Sequence, residues 1–484
     1  MTLSELNMDV PTRLYVGGEW RDASDGGTFE VVNPATGEVL AQVASATEQD
    51  ADAALDAAEA AFADWAARKP RERAEILRKA FELIMERKEA FARLISMENG
   101  KALPDSRAEV AYAAEFFRWN AEEAVRVLGE VSMAPASGAR ILVGRKPAGL
   151  SVLVTPWNYP AAMGTRKIAP ALAAGCPVVI KPASDTPLTM LALMPVLEAA
   201  GVPKGLVNVL PSRRSGTIVD RMLHDRRVRV ISFTGSTEVG RKLLHSAADC
   251  IVNPAMELGG NAPFVVLEDA DIDQAVEGAL VAKMRNLGSA CTAANRFYVH
   301  ESVHDRFVEQ FAARMAALKV GDPLEEGNEV GSLVNEDTFR KVCAFVEDAV
   351  AKGARVVTGG RPLERKGYFY PPTVLVDVPD TAACLCDEIF GPVAAIQKFS
   401  DEEDMIRRCN DTEYGLIAYV FTRDLKRGLA ISERLDFGMI GLNRGLASDP
   451  AAPFGGMKQS GIGREGSREG VLEFLETQYV SVEW

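Results

Sequence analysis

From residue 151 onward the chain alternates short apolar runs with longer stretches of helical pattern. Residues 151–155, 177–180, 206–210 and 228–233 read as strands, and 162–174, 188–200, 216–224 and 238–246 as the helices between them. Parallel strands need a crossover of about a dozen residues or more, usually a helix. The alternation therefore predicts an α/β chain of βαβ units around a parallel sheet. Ligands of such sheets sit beyond the C-terminal strand ends. Polar segments stand at three of those ends: Thr155-Pro-Trp-Asn158, Lys181-Pro-Ala-Ser184 and Thr234-Gly-Ser-Thr237.

A second series of the same kind starts near residue 262. Strand 264–267 precedes helix 272–286, and strand 297–300 precedes helix 303–318; residues 341–352, 354–358, 394–399, 405–410 and 418–422 continue the alternation. Ahead of both series, turn signals (GGEW, SDGG, NPATG) punctuate residues 14–43, which read as a β region. In the stretch 47–99, Leu55, Ala58, Phe62 and Trp65 recur at helical spacing, and 107–128 is similar. Residues 129–146 break the pattern and read as a hairpin-like excursion, and 471–484 as a strand-like tail. Both want a partner edge, on this subunit or on another.

Size and charge remove several function classes. A chain of 484 residues buries large cores without disulfides or metals. Its net charge of −14 repels phosphate backbones, so no nucleic-acid partner is expected. The 7 cysteines form no CxxC and suit a reducing cytoplasm. No uninterrupted apolar stretch approaches the ~18 residues of a membrane span. The first ten residues hold no apolar leader core, so neither membrane insertion nor secretion is expected. GxGxxG, GxxxxGK[ST] and HExxH are absent. His300 and His304 straddle a strand end and a helix start, and no metal is expected there.

Two segments carry reactive groups: Pro254-Ala-Met-Glu-Leu-Gly-Gly-Asn-Ala262, and the turn around Cys291 in Gly288-Ser-Ala-Cys-Thr-Ala-Ala-Asn-Arg296. Taken alone, the Cys is as well read as a small core residue and the Glu as a capping carboxylate.

With Trp157-Asn158 and Pro453-Phe-Gly-Gly-Met-Lys-Gln-Ser-Gly461, the set resembles the aldehyde dehydrogenase superfamily. The resemblance runs from Val16-Gly-Gly-Glu-Trp to Gly463-Arg-Glu-Gly, nearly the whole chain. The motifs are most similar to the succinate-semialdehyde dehydrogenase subfamily, through TPWNYPAAMGTRK, KPASDTP, FTGSTEVGRKLL, MELGGNAPF, MRNLGSACTAANRFYV, EIFGPV and PFGGMKQSGIGREGS. This implies an aldehyde dehydrogenase-like α/β fold in three parts. A Rossmann-type dinucleotide-binding domain takes residues 1–128 and 148–256, and an α/β catalytic domain takes 257–445. A β bridging element, 129–147 and 467–484, joins subunits into homodimers or homotetramers.

The implied reaction is NAD(P)-dependent oxidation of an aldehyde to a carboxylate, with succinate semialdehyde the expected substrate and NADP or NAD the cofactor. A free aldehyde carbon is a poor hydride donor, and a thiolate turns it into a tetrahedral adduct. Cys291 matches that nucleophile. The Asn158 side chain and the Cys291 backbone N–H match the oxyanion donors, and Glu257 the base that activates water against the thioester. Among cofactor positions, Thr155, Pro156 and Trp157 lead to Lys181 and Ser184 near the adenosine ribose. Gly235 and Ser236 open a helix whose N-terminus can face the pyrophosphate. Leu258 flanks the nicotinamide, and Glu388 and Phe390 match contacts to its ribose. Strictly NAD-dependent relatives often carry Glu where Ser184 stands; Ser184 and Lys181 together predict that NADP is accepted.

Arg166, Arg285 and Ser448 match the carboxylate-binding positions of the subfamily; internal ion pairs are the other reading of the two arginines. Three positions depart from the family pattern. Ser289 replaces a Gln, and Ala293 replaces a second Cys, so no thiol switch is expected. Arg444 is an extra cation expected near the mouth, which leaves the exact semialdehyde open. The alternatives are another carboxylated or aromatic aldehyde, a Cys-dependent ester or thioester hydrolase using Cys291 and Glu257, and a non-catalytic protein that kept the fold.

Overall fold

Strands Leu150–Val154, Val178–Lys181 and Val207–Val209 are buried from end to end, as expected of parallel strands covered on both faces. The computed structural model describes residues 2–483. In it these strands form the centre of an eight-stranded sheet in the order Glu19–Arg21, Leu14–Val16, Val207–Val209, Val178–Lys181, Leu150–Val154, Val228–Thr234, Asn253–Glu257, Gly461–Ile462. The five strands from Val207–Val209 to Asn253–Glu257 run parallel, and the outer ones are antiparallel. Leu153 packs with Ile180 and Val209 in one apolar cluster, and Val152 and Val154 pack with Val179 and Ile231 in another. Side chains thus alternate between two helical layers. Pro70–Glu86, Leu103–Glu123, Ala162–Ala174 and Leu188–Ala200 supply one layer. Glu48–Ala67, Ser215–Leu223 and Thr237–Asp249 supply the other.

The second series forms a seven-stranded sheet in the order Arg355–Thr358, Thr373–Val376, Val393–Phe399, Ala294–His300, Ala262–Val266, Ile417–Phe421, Met439–Leu442. It is parallel except at the Arg355–Thr358 edge. The excursion and the tail meet on the same chain. Glu130–Met133, Arg140–Pro147 and Leu475–Val482 make a separate antiparallel sheet, and Glu130–Met133 is exposed along its whole length.

Several boundaries differ from expectation. The N-terminal β region splits: two strands edge the large sheet, while Thr28–Asn33 and Glu38–Ala44 form their own hairpin. The tail opens with a short helix, Glu469–Leu472, before its strand; its last residue, Trp484, lies outside the described residues. The helix expected to reach residue 286 stops at Met284. Asn286, Leu287 and Gly288 then take left-handed backbone conformations, with φ of 53°, 55° and 73°. Each such step by a residue with a Cβ costs about 1–2 kcal/mol, so surrounding contacts must hold this turn. No described helix is long and apolar enough to cross a membrane, and no described cluster of His, Cys, Asp or Glu is placed to hold a metal ion.

Candidate active site

Connections that leave the first sheet after Val154, Thr234 and Glu257 line one cavity of about 420 Å3. The facing wall comes from segments that lead into strands Ala294–His300 and Val393–Phe399 of the second sheet. Cys291 is half-buried there, on the turn that follows the left-handed run. Two side-chain amides hold this turn: Asn158 Nδ2 and Asn286 Nδ2 both donate to the Ser289 carbonyl, at 3.0 and 2.9 Å. The Asn286 backbone N–H donates to Asp105 Oδ2 at 2.9 Å. These bonds hold the residues on either side of Leu287 and so keep a leucine in a left-handed conformation close to the Cys291 thiol.

Burial pushes the Cys291 thiol up to about 12; the Glu388 carboxylate adds to the rise and Arg166 opposes it. Glu388 is itself raised to about 7 by burial, against a hydrogen bond from the Gly260 N–H to its Oε1 at 3.2 Å. Burial first and Glu465 second hold Glu257 well above the ordinary carboxylate range, with Arg166 and Lys167 opposing. Glu257 Oε2 is buried without a hydrogen-bond partner among the described residues. Buried carboxylates of raised pKa beside a thiol make this cavity the candidate functional site.

The cavity gathers most of the residues expected from sequence. Asn158, Cys291, Arg166, Arg285 and Ser448 line it. Pro156, Trp157, Gly235, Ser236 and Leu258 line it as well, with Glu388 and Phe390 opposite. The Trp157 and Phe390 rings meet edge to face with centroids 5.3 Å apart. Ser236 caps helix Thr237–Asp249, its Oγ accepting the Val239 N–H at 3.4 Å, so that helix starts at the cavity wall. Four expected residues do not line it. Glu257 stands behind the wall at the end of its strand, one residue before Leu258. Thr155, Lys181 and Ser184 lie along the same strand-end edge, where the Thr155 N–H donates to the Lys181 carbonyl at 3.2 Å. Lys181 is buried, makes no ion pair among the described residues, and is lowered to about 8 by burial.

The two arginines differ. Arg166 is 2% exposed, its Nε 2.6 Å from a Glu465 carboxylate oxygen and its guanidinium 4.1 Å from the Phe454 ring centroid. The internal ion pair is therefore realised at Arg166, although Nη2 is buried without a hydrogen-bond partner among the described residues. Glu465 also pairs with the buried Lys167. Arg285 donates to Thr292 Oγ1 at 3.1 Å and lies over the Tyr159 ring, with no carboxylate at ion-pair distance among the described residues. Arg444 is exposed and does not line the cavity. It stands two residues before Leu446, which does line the cavity. Ser289 is buried, its Oγ donating to the Phe390 carbonyl at 3.3 Å.

Sequence reasoning misses Glu465, Glu109 and Lys101, charged side chains buried around the site, and the half-buried Asp105. Glu465 sits inside the quoted GIGREGS motif, which is the signal that could have found it. Glu109 lies in a stretch that reads only as helical, and Lys101 and Asp105 fall between the two stretches so read.

The sequence profile of the aldehyde dehydrogenase family matches residues 20–480. A succinate-semialdehyde dehydrogenase of Paenarthrobacter nicotinovorans is 52% identical over 444 residues, covering 92% of this chain and 99% of that protein. A glutarate-semialdehyde dehydrogenase of Pseudomonas putida is 46% identical over 468 residues, 97% of each chain. Among solved structures, an E. coli NADP-dependent enzyme superposes with a TM-score of 0.97 at 45% identity, over 99% of both chains.

Proposed function

The chain belongs to the aldehyde dehydrogenase family, and from that footing we propose that it oxidises succinate semialdehyde to succinate through a covalent adduct on Cys291, with NADP or NAD as hydride acceptor. The observation that carries the substrate class is Arg285, a guanidinium lining the cavity of Cys291 with a neutral hydroxyl and a phenol ring against it. A guanidinium fork free of an internal carboxylate suits a carboxylate on the substrate. Arg166 Nη2 and Ser448 add donors on the same cavity. The similarity to a glutarate-semialdehyde dehydrogenase supports keeping the homologous five-carbon substrate in the test.

The residues present fit a dinucleotide. A capped helix begins at the cavity wall, a neighbouring lysine is buried without an ion pair among the described residues, and Glu388 sits at the Cys291 end. Ser236 and the helix start would take the pyrophosphate, Lys181 and Ser184 the adenosine ribose, and Glu388 and Phe390 the nicotinamide ribose. Bound there, the nicotinamide accepts a hydride. The absence of a carboxylate at position 184 supports acceptance of NADP.

The remaining chemistry belongs to the chain. The Cys291 thiol is protonated at neutral pH, so a base must take its proton, and Glu257 with its raised pKa is matched to that transfer. The sulfur bonds to the aldehyde carbon and the carbonyl oxygen becomes an oxyanion. The second N–H of Asn158 Nδ2 and the Cys291 backbone N–H donate to it. Loss of the hydride leaves a thioester. Glu257 releases the thiol proton to solvent and then takes a proton from water as the oxygen attacks; the C–S bond breaks, the Cys291 thiolate departs, and the carboxylate product leaves. Arg285 holds the far carboxylate throughout.

The exposed strand Glu130–Met133, with Val131 73% and Met133 55% exposed, supports the three-stranded sheet as the joint of a homodimer or homotetramer. Seven free cysteines support a reducing cytoplasmic setting. The experiment is reduced-nicotinamide absorbance with NADP and NAD against succinate semialdehyde, glutarate semialdehyde and neutral aldehydes, repeated on Cys291→Ala. Turnover that survives Cys291→Ala, or no dinucleotide reduction with any aldehyde, overturns the reading.

A further inference from the structure

Lys101 reaches the site from a part of the chain that the family motifs do not include. It follows the glycine that ends helix Lys88–Asn99, and its side chain is fully buried. Nζ donates to Glu109 Oε2 and to the main-chain oxygen of Asn158, each at 2.6 Å, and stands 4.2 Å from the Tyr159 ring centroid. Glu109, on helix Leu103–Glu123, is as deeply buried. Its Oε1 accepts the N–H groups of Ala161 and Ala162 at 2.9 and 3.3 Å, where the helix carrying Arg166 begins. Asn99 Nδ2 donates to the Trp157 carbonyl at 2.9 Å. Side chains from residues 99–109 therefore hold the backbone of the 157–162 connection at several points.

The Asn158 oxygen has a second donor, Asn286 Nδ2, at 2.7 Å. That same amide donates to the Ser289 carbonyl, which also accepts from Asn158 Nδ2. Backbone and side chain of Asn158 are thus tied to one closed set of bonds, in which Lys101 supplies the charged donor. A buried ammonium persists only with a well-placed partner. Glu109 supplies it while its other oxygen fixes the helix start.

We propose that Lys101, held by Glu109, is a positioning residue that fixes the Asn158 main chain so that the Asn158 side-chain amide points at the oxygen of the Cys291-bound aldehyde. Lys101 does not line the cavity; it acts through Asn158. The inference rests on the oxyanion role proposed for Asn158.

The test is a double-mutant cycle read in kcat and KM. Misplacing a reacting group by about 1 Å costs ~10²-fold, so Lys101→Met is expected to lower kcat ~10–100-fold with KM for aldehyde and NADP little changed. Asn158→Ala is expected to lower kcat ~10²–10³-fold, and adding Lys101→Met to it is expected to lower kcat no further. Full additivity in the Asn158→Ala background marks a merely structural role and overturns the proposal, as does a folded Lys101→Met enzyme of parental kcat. Should Lys101→Met fail to fold, Lys101→Met/Glu109→Gln and Glu109→Gln alone carry the same cycle under the same criteria, with thermal denaturation confirming the fold. An Asn158→Ala enzyme of unchanged kcat refutes the oxyanion role itself. A loss at Asn158→Ala without one at Lys101 refutes only the positioning role.

Discussion

The main-chain carbonyl oxygen of Cys291 occupies the space in which a Cβ on Gly260 would stand. Gly260 lies in the loop after Glu257, so the segment of the proposed base and the turn of the nucleophile are in backbone contact. Leu416 closes the other side of the same glycine.

Gly260→Ala is therefore expected to displace the Cys291 turn rather than unfold the protein. A shift near 1 Å in a reacting group costs ~10²-fold in rate. We expect kcat to fall by that order while dinucleotide binding, followed by fluorescence quenching, is retained. A Gly260→Ala enzyme with parental kcat would falsify the close approach.

Glu257, as the proposed base, is expected to govern the pH dependence. A base acts only when ionised, and burial and Glu465 hold this carboxyl well above the usual range. The rate is thus high above the raised pKa and is lost as pH falls through it. In Glu257→Gln that acid limb disappears, and steady-state turnover drops by ~10²–10⁴-fold. A pre-steady-state burst of reduced nicotinamide checks whether the loss lies in thioester hydrolysis. An unchanged pH profile in Glu257→Gln contradicts the assignment.

Arg285 is expected to sort substrates by charge. A charge-assisted hydrogen bond is worth about 1.5–3 kcal/mol, so Arg285→Ala should raise KM for succinate semialdehyde ~10–100-fold. An uncharged aldehyde of similar size should be almost unaffected. Equal changes for both aldehydes would remove Arg285 from carboxylate binding.

Cofactor choice is expected to turn on position 184. Placing a carboxylate there, Ser184→Glu, repels a 2′-phosphate and should lower kcat/KM for NADP ~10-fold or more, with NAD kept. Parallel kinetics with the two dinucleotides decide it, and a variant with an unchanged ratio of kcat/KM for NADP over NAD rejects the contact.

Much of the fold is local in origin. Helices Ala162–Ala174 and Leu188–Ala200 coincide with their sequence pattern to the residue, because their apolar spacing and the glycine after each are chain-local signals. The same pattern over-extends the helix before Cys291. Its apolar spacing continues past Met284, while the left-handed turn depends on bonds from Asn158 and Asp105, more than a hundred residues away. The motifs name the thiol, the amide and the carboxylate of the site, since short segments carry those groups whole. They leave Glu465 unremarked inside a quoted motif, because spacing gives a side chain's neighbourhood and not the partner it meets.

The succession of strands and helices along the chain and the polar segments at the strand ends were legible in the chain's own pattern, because each depends on residues a few positions apart; the proposed reactive side chains were named by motifs that resemble a family's. The tertiary structure alone decided which charges became partners. Arg166 is drawn to Glu465 while Arg285 is left without a carboxylate among the described residues, and Lys101 and Glu109 are buried against the 158–162 connection. The reason is physical: a buried charge takes its behaviour from whatever lies within a few ångströms in space. Packing of the two sheets sets that distance, and position along the chain does not.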